Sequence, residues 1–292
     1  MFDVTETLFM ILLPALLALA GFSALAALRG RTLPAVAWPG LDGALLALAV
    51  GAAWVALRGG FHDPTVDVHD WLPWFALLAA FASVQLPALR PAWAQVGVLA
   101  VVIAVMLGVV ISQLPVCHGW SLGEKVLWFG GLGLAWLASA WAWRRSAQAA
   151  GTGVAIFTLL LAVACGALGC ALFGGSRHAK LAAPIIAALG AMVAVGWWRR
   201  WPFPAVGAAT AVGLLLPLLL VFGYFLDEVP LWGLPLLALT GLAAWPTACG
   251  RLRGAAGWKR LLVAAAVAGV VAAPLLIHGI IKSIHDLGEA PY

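Results

Sequence analysis

The stretch His62-Asp63-Pro64-Thr65-Val66-Asp67-Val68-His69-Asp70-Trp71-Leu72-Pro73-Trp74 is the longest polar interruption in a chain that is otherwise nearly continuous hydrocarbon. It sets two histidines and three aspartates between two apolar runs. It closes on a pair of tryptophans, the side chain that settles where lipid meets water. A loop of this kind has meaning only if the runs beside it lie in a membrane.

Composition requires that they do. The chain is 64% hydrophobic and 9% charged, with a mean hydropathy of +1.06. A soluble domain carries about 25% charged residues, so this chain lacks the polar surface to face water all round. A bilayer core about 30 Å thick is crossed by roughly 20 residues of helix. By that measure ten spans are expected, near 7–28, 41–57, 71–89, 94–115, 126–143, 151–173, 181–198, 205–226, 231–248 and 261–281. Backbone groups find no partner in lipid, so the spans are expected to be helices. The fold class is therefore all-α, a polytopic membrane helical bundle forming a single transmembrane domain over 1–292. The first residues, Met1-Phe2-Asp3-Val4-Thr5-Glu6, are acidic where a signal peptide is basic, and the first run is expected to be retained.

Alternate loops sort the charges. One side collects eleven basic residues, Arg29, Arg31, Arg90, Arg144, Arg145, Arg199, Arg200, Arg251, Arg253, Lys259 and Arg260, against a single acid, Asp42. The other side holds five basic residues and ten acids, including Asp63, Asp67, Asp70, Asp227 and Glu228. Short loops rich in Lys and Arg stay in the cytoplasm. Both termini and the His62–Trp74 loop are then expected outside, in the periplasm of a bacterial inner (cytoplasmic) membrane. Most of the 16 tryptophans fall near the predicted span ends, where indoles anchor helix depth, and Trp136 alone lies mid-span. Arg90, Arg145 and Arg200 recur at intervals of 55 residues. Repeated helix hairpins over 41–90, 94–145, 151–200 and 205–253 would give that period, as would ordinary hairpins with short loops.

All six histidines fall on the outer side or at the outer end of a span. Imidazole is the commonest metal ligand and titrates nearest physiological pH. His62 and His69, with His118 and His178 arriving from other spans, are the candidate metal ligands. Imidazole with carboxylate suits Zn²⁺ or Mn²⁺, and a histidine pair suits haem, although no cofactor is firmly implied. The competing reading is a solvated outer face, and a third is a pH-responsive contact. His278 differs, lying inside the tenth run, and is a candidate for a pathway or pocket or for a side chain that snorkels to the surface.

The spans carry no Asp, Glu, Lys or Arg near the midplane, which counts against ion-coupled transport. Pro14, Pro217, Pro235, Pro246 and Pro274 interrupt spans and free a carbonyl each. Small residues at Gly130, Gly131, Gly133, Gly166 and Gly169 suit close helix approach. No nucleophile elbow, HExxH, P-loop or haem-attachment motif is present, no basic run with interleaved aromatics points to nucleic acid, and four scattered cysteines form no metal motif.

The expected function is a non-catalytic membrane subunit or scaffold, with the bilayer and other membrane proteins or further copies of itself as partners. The alternatives are a permease for an uncharged or amphipathic solute, using a cavity lined by Pro217 and Pro274, and an outer-face metal- or haem-binding electron-transfer protein. The charge map is testable directly. A compartment-sensitive reporter fused at the carboxyl end should be active outside the cytoplasm, and one fused after Trp143 active inside. The reverse pattern overturns the map.

Overall fold

The computed structural model describes residues 8–29, 40–60, 67–174, 176–198, 205–227, 229–249, 252 and 254–288. Among these the regular structure is helical, with no strand. After a π-helical turn at Leu8–Leu12 come α1 (Leu13–Arg29), α2 (Leu41–Leu57), α3 (Leu72–Ala88), α4 (Ala92–Gln113) and α5 (Leu122–Ala150). These are followed by α6 (Thr152–Leu172), α7 (Ser176–Trp198), α8 (Ala205–Leu226), α9 (Gly233–Thr240) and α10 (Gly257–Gly288). Short 3₁₀ turns at Val68–Trp71, Pro115–Cys117 and Trp245–Ala248 join them.

Eight helices are long and apolar enough to cross a membrane, and they correspond to eight of the ten expected runs. The other two, Leu41–Leu57 and Gly233–Ala248, are shorter apolar segments. The fifth helix starts earlier than expected because Ser121 and Glu124 cap one another. Ser121 Oγ accepts from the Glu124 N–H at 3.3 Å, and the Glu124 carboxylate accepts from the Ser121 N–H at 2.8 Å.

The centre of the bundle is α8, 94% buried along its apolar window, against 56% or less for every other spanning helix. Around it stand α2, α3, α4, α5, α6 and α7, and α7 returns to α2 to close the ring. Outside that ring α1 packs on α2 and α7, while α10 packs on α6 and α9. A helix can be enclosed this completely only if it offers no charge. The α8 sequence AVGAATAVGLLLPLLLVFGYFL carries none, and Thr210 gives its hydroxyl proton to the Val206 carbonyl at 2.9 Å within its own helix.

Glycine sets how closely the helices approach at the α2–α8 crossing. A Cβ on Gly43 would lie 2.2 Å from the Gly207 carbonyl oxygen, and one on Gly207 would lie 2.9 Å from the Gly40 Cα. Gly40 itself turns the chain into α2 with φ of +104°, a conformation L side chains avoid. The glycines of α5 behave differently from expectation. A Cβ on Gly130 or Gly131 would meet nothing within 4 Å, so these two mark open space and not helix contact. Gly166 does meet a neighbour, at 2.9 Å from a Leu216 methyl.

Two tryptophans repair or end helices. Pro217 has no N–H to give the carbonyl four residues back, and Trp136 supplies the missing donor, its Nε1–H reaching the Gly213 oxygen at 2.9 Å. That accounts for the one mid-span indole. Trp143 donates its Nε1–H to the Ala238 oxygen at 2.6 Å, and its ring lies where a Cβ on Gly241 would sit 2.0 Å away. The Leu242 N–H therefore turns back to Leu239 at 2.9 Å, α9 stops after eight residues, and the expected ninth span is a broken segment.

These contacts predict the effect of small additions. Gly43→Ala should destabilise the protein by about 1–3 kcal/mol through overpacking against backbone, read as a lower unfolding midpoint in mild detergent. Gly97→Ala, which meets nothing within 4 Å, should leave it unchanged or slightly raised.

Candidate functional site

At the end of the bundle opposite the Gly40–Gly43–Gly207 contact, four side chains from three helices form a continuous line. The chain leaves α2 through Arg58, Gly59 and Gly60. The two glycines have φ of +75° and +137°, and the Gly60 N–H reaches back to the Val55 oxygen at 3.0 Å. After the His62 segment, Asp67 caps the 3₁₀ turn that opens α3. Its Oδ1 accepts from the His69 backbone N–H at 2.9 Å and lies 2.7 Å from the His69 Nδ1. On the other side of the ring, His69 Nε2 meets His178 Nε2 at 3.1 Å. His178 Nδ1 in turn contacts Asp227 Oδ2. The order is Asp67–His69–His178–Asp227.

The elements hold this line from every side. His178 lies in the first turn of α7, and Trp54 of α2 fixes that turn by donating its Nε1–H to the Leu181 oxygen at 3.0 Å. Asp227 follows α8 directly, and its N–H bonds the Gly223 oxygen at 3.1 Å. Phe222 covers both imidazoles, with ring centroids 5.3 Å from His69 and 6.0 Å from His178. His69 is 5% exposed and His178 2%, so water does not complete their bonding.

Two guanidiniums hold the carboxylates. Arg58 donates from Nε to Asp70 Oδ1 at 2.8 Å and from Nη2 to Asp67 Oδ2 at 3.0 Å. Arg177 reaches the same Asp67 oxygen at 3.4 Å. Partial burial works against the charge on Asp67. The backbone N–H and ring of His69, with Arg58, outweigh it and hold the carboxyl well below the usual carboxylate range.

Hydrogen-bond accounting gives how many protons the line needs if each of its contacts is bonded. Three contacts in series need three protons, one in each. Two neutral imidazoles and two carboxylates supply only two. Without a third, two nitrogen lone pairs would face each other at 3.1 Å. The centroids are 5.3 Å apart with the planes 29° from parallel. That separation is close to the N–N distance plus two ring radii, so the rings lie end to end and the lone pairs point at one another. Asp67, Asp70 and Asp227 against Arg58 and Arg177 leave one negative charge among these five groups.

Helix dipoles make the placement less expected. A carboxylate after the C-terminus of α8 and an imidazole in the first turn of α7 each sit where their own helix disfavours their charge. They face each other, and each relieves the other.

The structure therefore joins two of the four candidate ligands, His69 and His178. His118 is exposed on the turn after α4, its Nε2 3.2 Å from the Ser112 oxygen. His62 lies outside the described residues. Among the described residues no group of three or more His, Cys, Asp or Glu side chains is arranged to hold a metal ion. The facing imidazoles as they stand leave no gap for a porphyrin. His278 is exposed on α10, against Phe173 at 5.7 Å and Trp232 at 5.6 Å.

A separate cavity of about 700 Å³ opens between α5, α8 and α9. Pro217 and Pro235 line it, with Trp128, Trp136 and Trp232. Pro274 is not among its walls, so this cavity differs from the one expected between Pro217 and Pro274. Comparison with family models, with curated proteins and with solved structures gives no match.

Sequence reasoning missed Asp227, Arg58 and Arg177 as members of the site. The positions were visible as charges on the same side, but nothing local says that residues 49 and 109 apart bond to each other. Removing one end exposes the interdependence. Asp227→Ala leaves His178 buried without its acceptor and should cost about 3–5 kcal/mol in unfolding measured in mild detergent. His178→Ala added to it should cost much less than the sum, with a coupling of about 0.5–3 kcal/mol. His118→Ala, on the exposed turn, should stay within about 0.5 kcal/mol of wild type.

Proposed function

We propose that the protein is a non-catalytic membrane subunit or scaffold whose outer end is set by a single bound proton. The observation that carries this is the pair of buried Nε2 atoms 3.1 Å apart, each on a ring whose Nδ1 already meets a carboxylate, a contact that a third proton would turn into a hydrogen bond. That proton joins the start of α3, the start of α7 and the end of α8, the central helix. When it leaves, two imidazole lone pairs oppose each other and the site carries a net negative charge in a buried setting, so the three helix ends separate or admit solvent. With arginines inside and histidines outside, the proton comes from the periplasmic side of a bacterial inner membrane. Imidazole is the side chain suited to respond in that range of pH.

Protein carrying ¹⁵N-labelled histidine, observed by NMR in bilayers near neutral pH, should show a bonded Nε2–H–Nε2 pair that shares one proton. The signal should disappear in His69→Gln and in His178→Gln. Two neutral, unbonded rings in the wild type at every pH between about 5 and 8 would sink the reading. Stoichiometric zinc, manganese or haem in the purified protein would replace it with the metal or haem site considered from the sequence.

A second reading, a permease for an uncharged or amphipathic solute, is favoured by the cavity beside Pro217 and Pro235. Solute movement by the purified protein in liposomes would select it.

A further inference from the structure

Apart from the cavity beside Pro217, a groove of about 320 Å³ lies between α4 and α5, where α4 ends and α5 begins. Gly108 and Ser112 line it from α4, His118 from the turn, and Lys125, Val126 and Phe129 from α5. Gly108 leaves the space, since a Cβ on it would rest 3.7 Å from the Phe129 ring. From Gly108 to Ser112 is one turn of helix, about 6 Å.

The groove is charged on one side only. Among the described residues the Lys125 ammonium makes no ion pair. Burial raises the Cys117 thiol and the Lys125 charge pulls it the other way, so the ammonium reaches back toward the turn that carries His118. The His118 Nε2 is 3.2 Å from the Ser112 oxygen, which leaves Nδ1 as its remaining ring nitrogen. The neighbouring acid, Glu124, is not part of the lining. Its carboxylate is taken by the Ser121 N–H and hydroxyl, at 2.8 Å each. The lining therefore holds a cation and an imidazole and no carboxylate.

Depth and the surface below the groove narrow the occupant. Trp120 and Trp128 stack beside this turn with centroids 5.8 Å apart, and indoles lie at headgroup level. Inward from Gly108, Val105 and Val101 follow at one and two turns of α4, and both are exposed, Val101 by 63%. From Ser112 to Val101 is about 17 Å, close to half of a hydrocarbon core about 30 Å thick. A cation at headgroup depth thus stands above a notch and an apolar stripe one leaflet long. A zwitterionic headgroup brings its own cation close to Lys125, whereas an anionic one leaves the ammonium as its counter-charge.

We propose that this groove binds an anionic phospholipid, its phosphate beside Lys125 and His118 and an acyl chain running over Gly108 along Val105 and Val101. The site involves neither His69 nor His178.

Native mass spectrometry of the full chain in mild detergent, offered phosphatidylglycerol and phosphatidylcholine in equal amounts, tests it. The wild type should retain phosphatidylglycerol in preference. Lys125→Gln with His118→Gln should weaken retention of phosphatidylglycerol about fivefold and leave phosphatidylcholine unchanged. Gly108→Leu, which fills the notch, should weaken both, and Val126→Trp, at an exposed position, fills the groove if Gly108→Leu fails to fold. Lys282→Gln, which removes a cation from α10, should behave as wild type. Equal retention of phosphatidylglycerol by wild type and the Lys125/His118 variant overturns the site, and so does an equal loss in Lys282→Gln. A wild-type dimer that Lys125→Gln converts to monomer, with lipid retention unchanged, assigns the groove to a second copy of the chain and overturns it too.

Discussion

A hydrogen bond between two imidazole nitrogens exists only while a proton lies in it. That constraint governs the histidine end of this molecule. Each ring has its Nδ1 committed to a carboxylate, so Nε2 is all that remains, and the two Nε2 atoms are 3.1 Å apart. No rearrangement of tautomers removes the need, because moving a proton along the line changes which atom holds it and not how many the line contains. The surroundings allow little else. Phe222 closes the space from α8, and Trp54 fixes the turn of α7 that carries His178. With His69 5% and His178 2% exposed, water is poorly placed to supply the missing donor between the two Nε2 atoms.

The same economy of polar groups runs through the helices. Where Pro217 leaves a carbonyl bare, Trp136 reaches it. Where Trp143 captures the Ala238 carbonyl, α9 ends. Thr158, Thr210 and Ser83 return their hydroxyl protons to carbonyls four residues back, at 2.8–2.9 Å. In a chain with so few charged residues, the midplane polar groups thus serve their own helices. Among the described residues, ion pairs gather at the end where Asp67, Asp70, Asp227, Arg58 and Arg177 lie together.

Much of the architecture was legible because lipid imposes simple rules. Run length and hydropathy located eight long helices, although α5 and α10 each run seven residues past the expected end, and the S-x-x-E signature at Ser121–Glu124 would have placed the start of α5 better than hydropathy did. What hydropathy missed was tertiary in origin. Nothing in the apolar run 231–248 announces that an indole from residue 143 will end its helix, since Gly241 and Pro246 are tolerated in other spans. The glycines of α5 misled for a related reason. Small residues permit close approach but do not enforce it, and Gly130 and Gly131 face a void. The site followed the same division. That His69 and His178 belong to one end followed from counting spans. Their direct bond, and the choice of Asp227 and Asp67 as outer partners, required knowing how α3, α7 and α8 are rotated about their axes.

Rotation of α8 also places the carboxylate that ends the histidine line and a wall of the cavity on one helix. Asp227 ends it and Pro217 interrupts it, ten residues apart, about 15 Å along the axis. Between them Leu220 and Val221 line the cavity, and Phe222, the next residue, covers the imidazoles. A helix buried on all sides cannot shift one end without repacking the other, because its neighbours interdigitate with it along its whole length. The freed carbonyl of Gly213, held by a side-chain indole in place of a backbone N–H, is the one point in α8 where bending breaks no regular helix bond. Pro217 and Trp136 are both walls of the cavity, so the repaired carbonyl lies beside it.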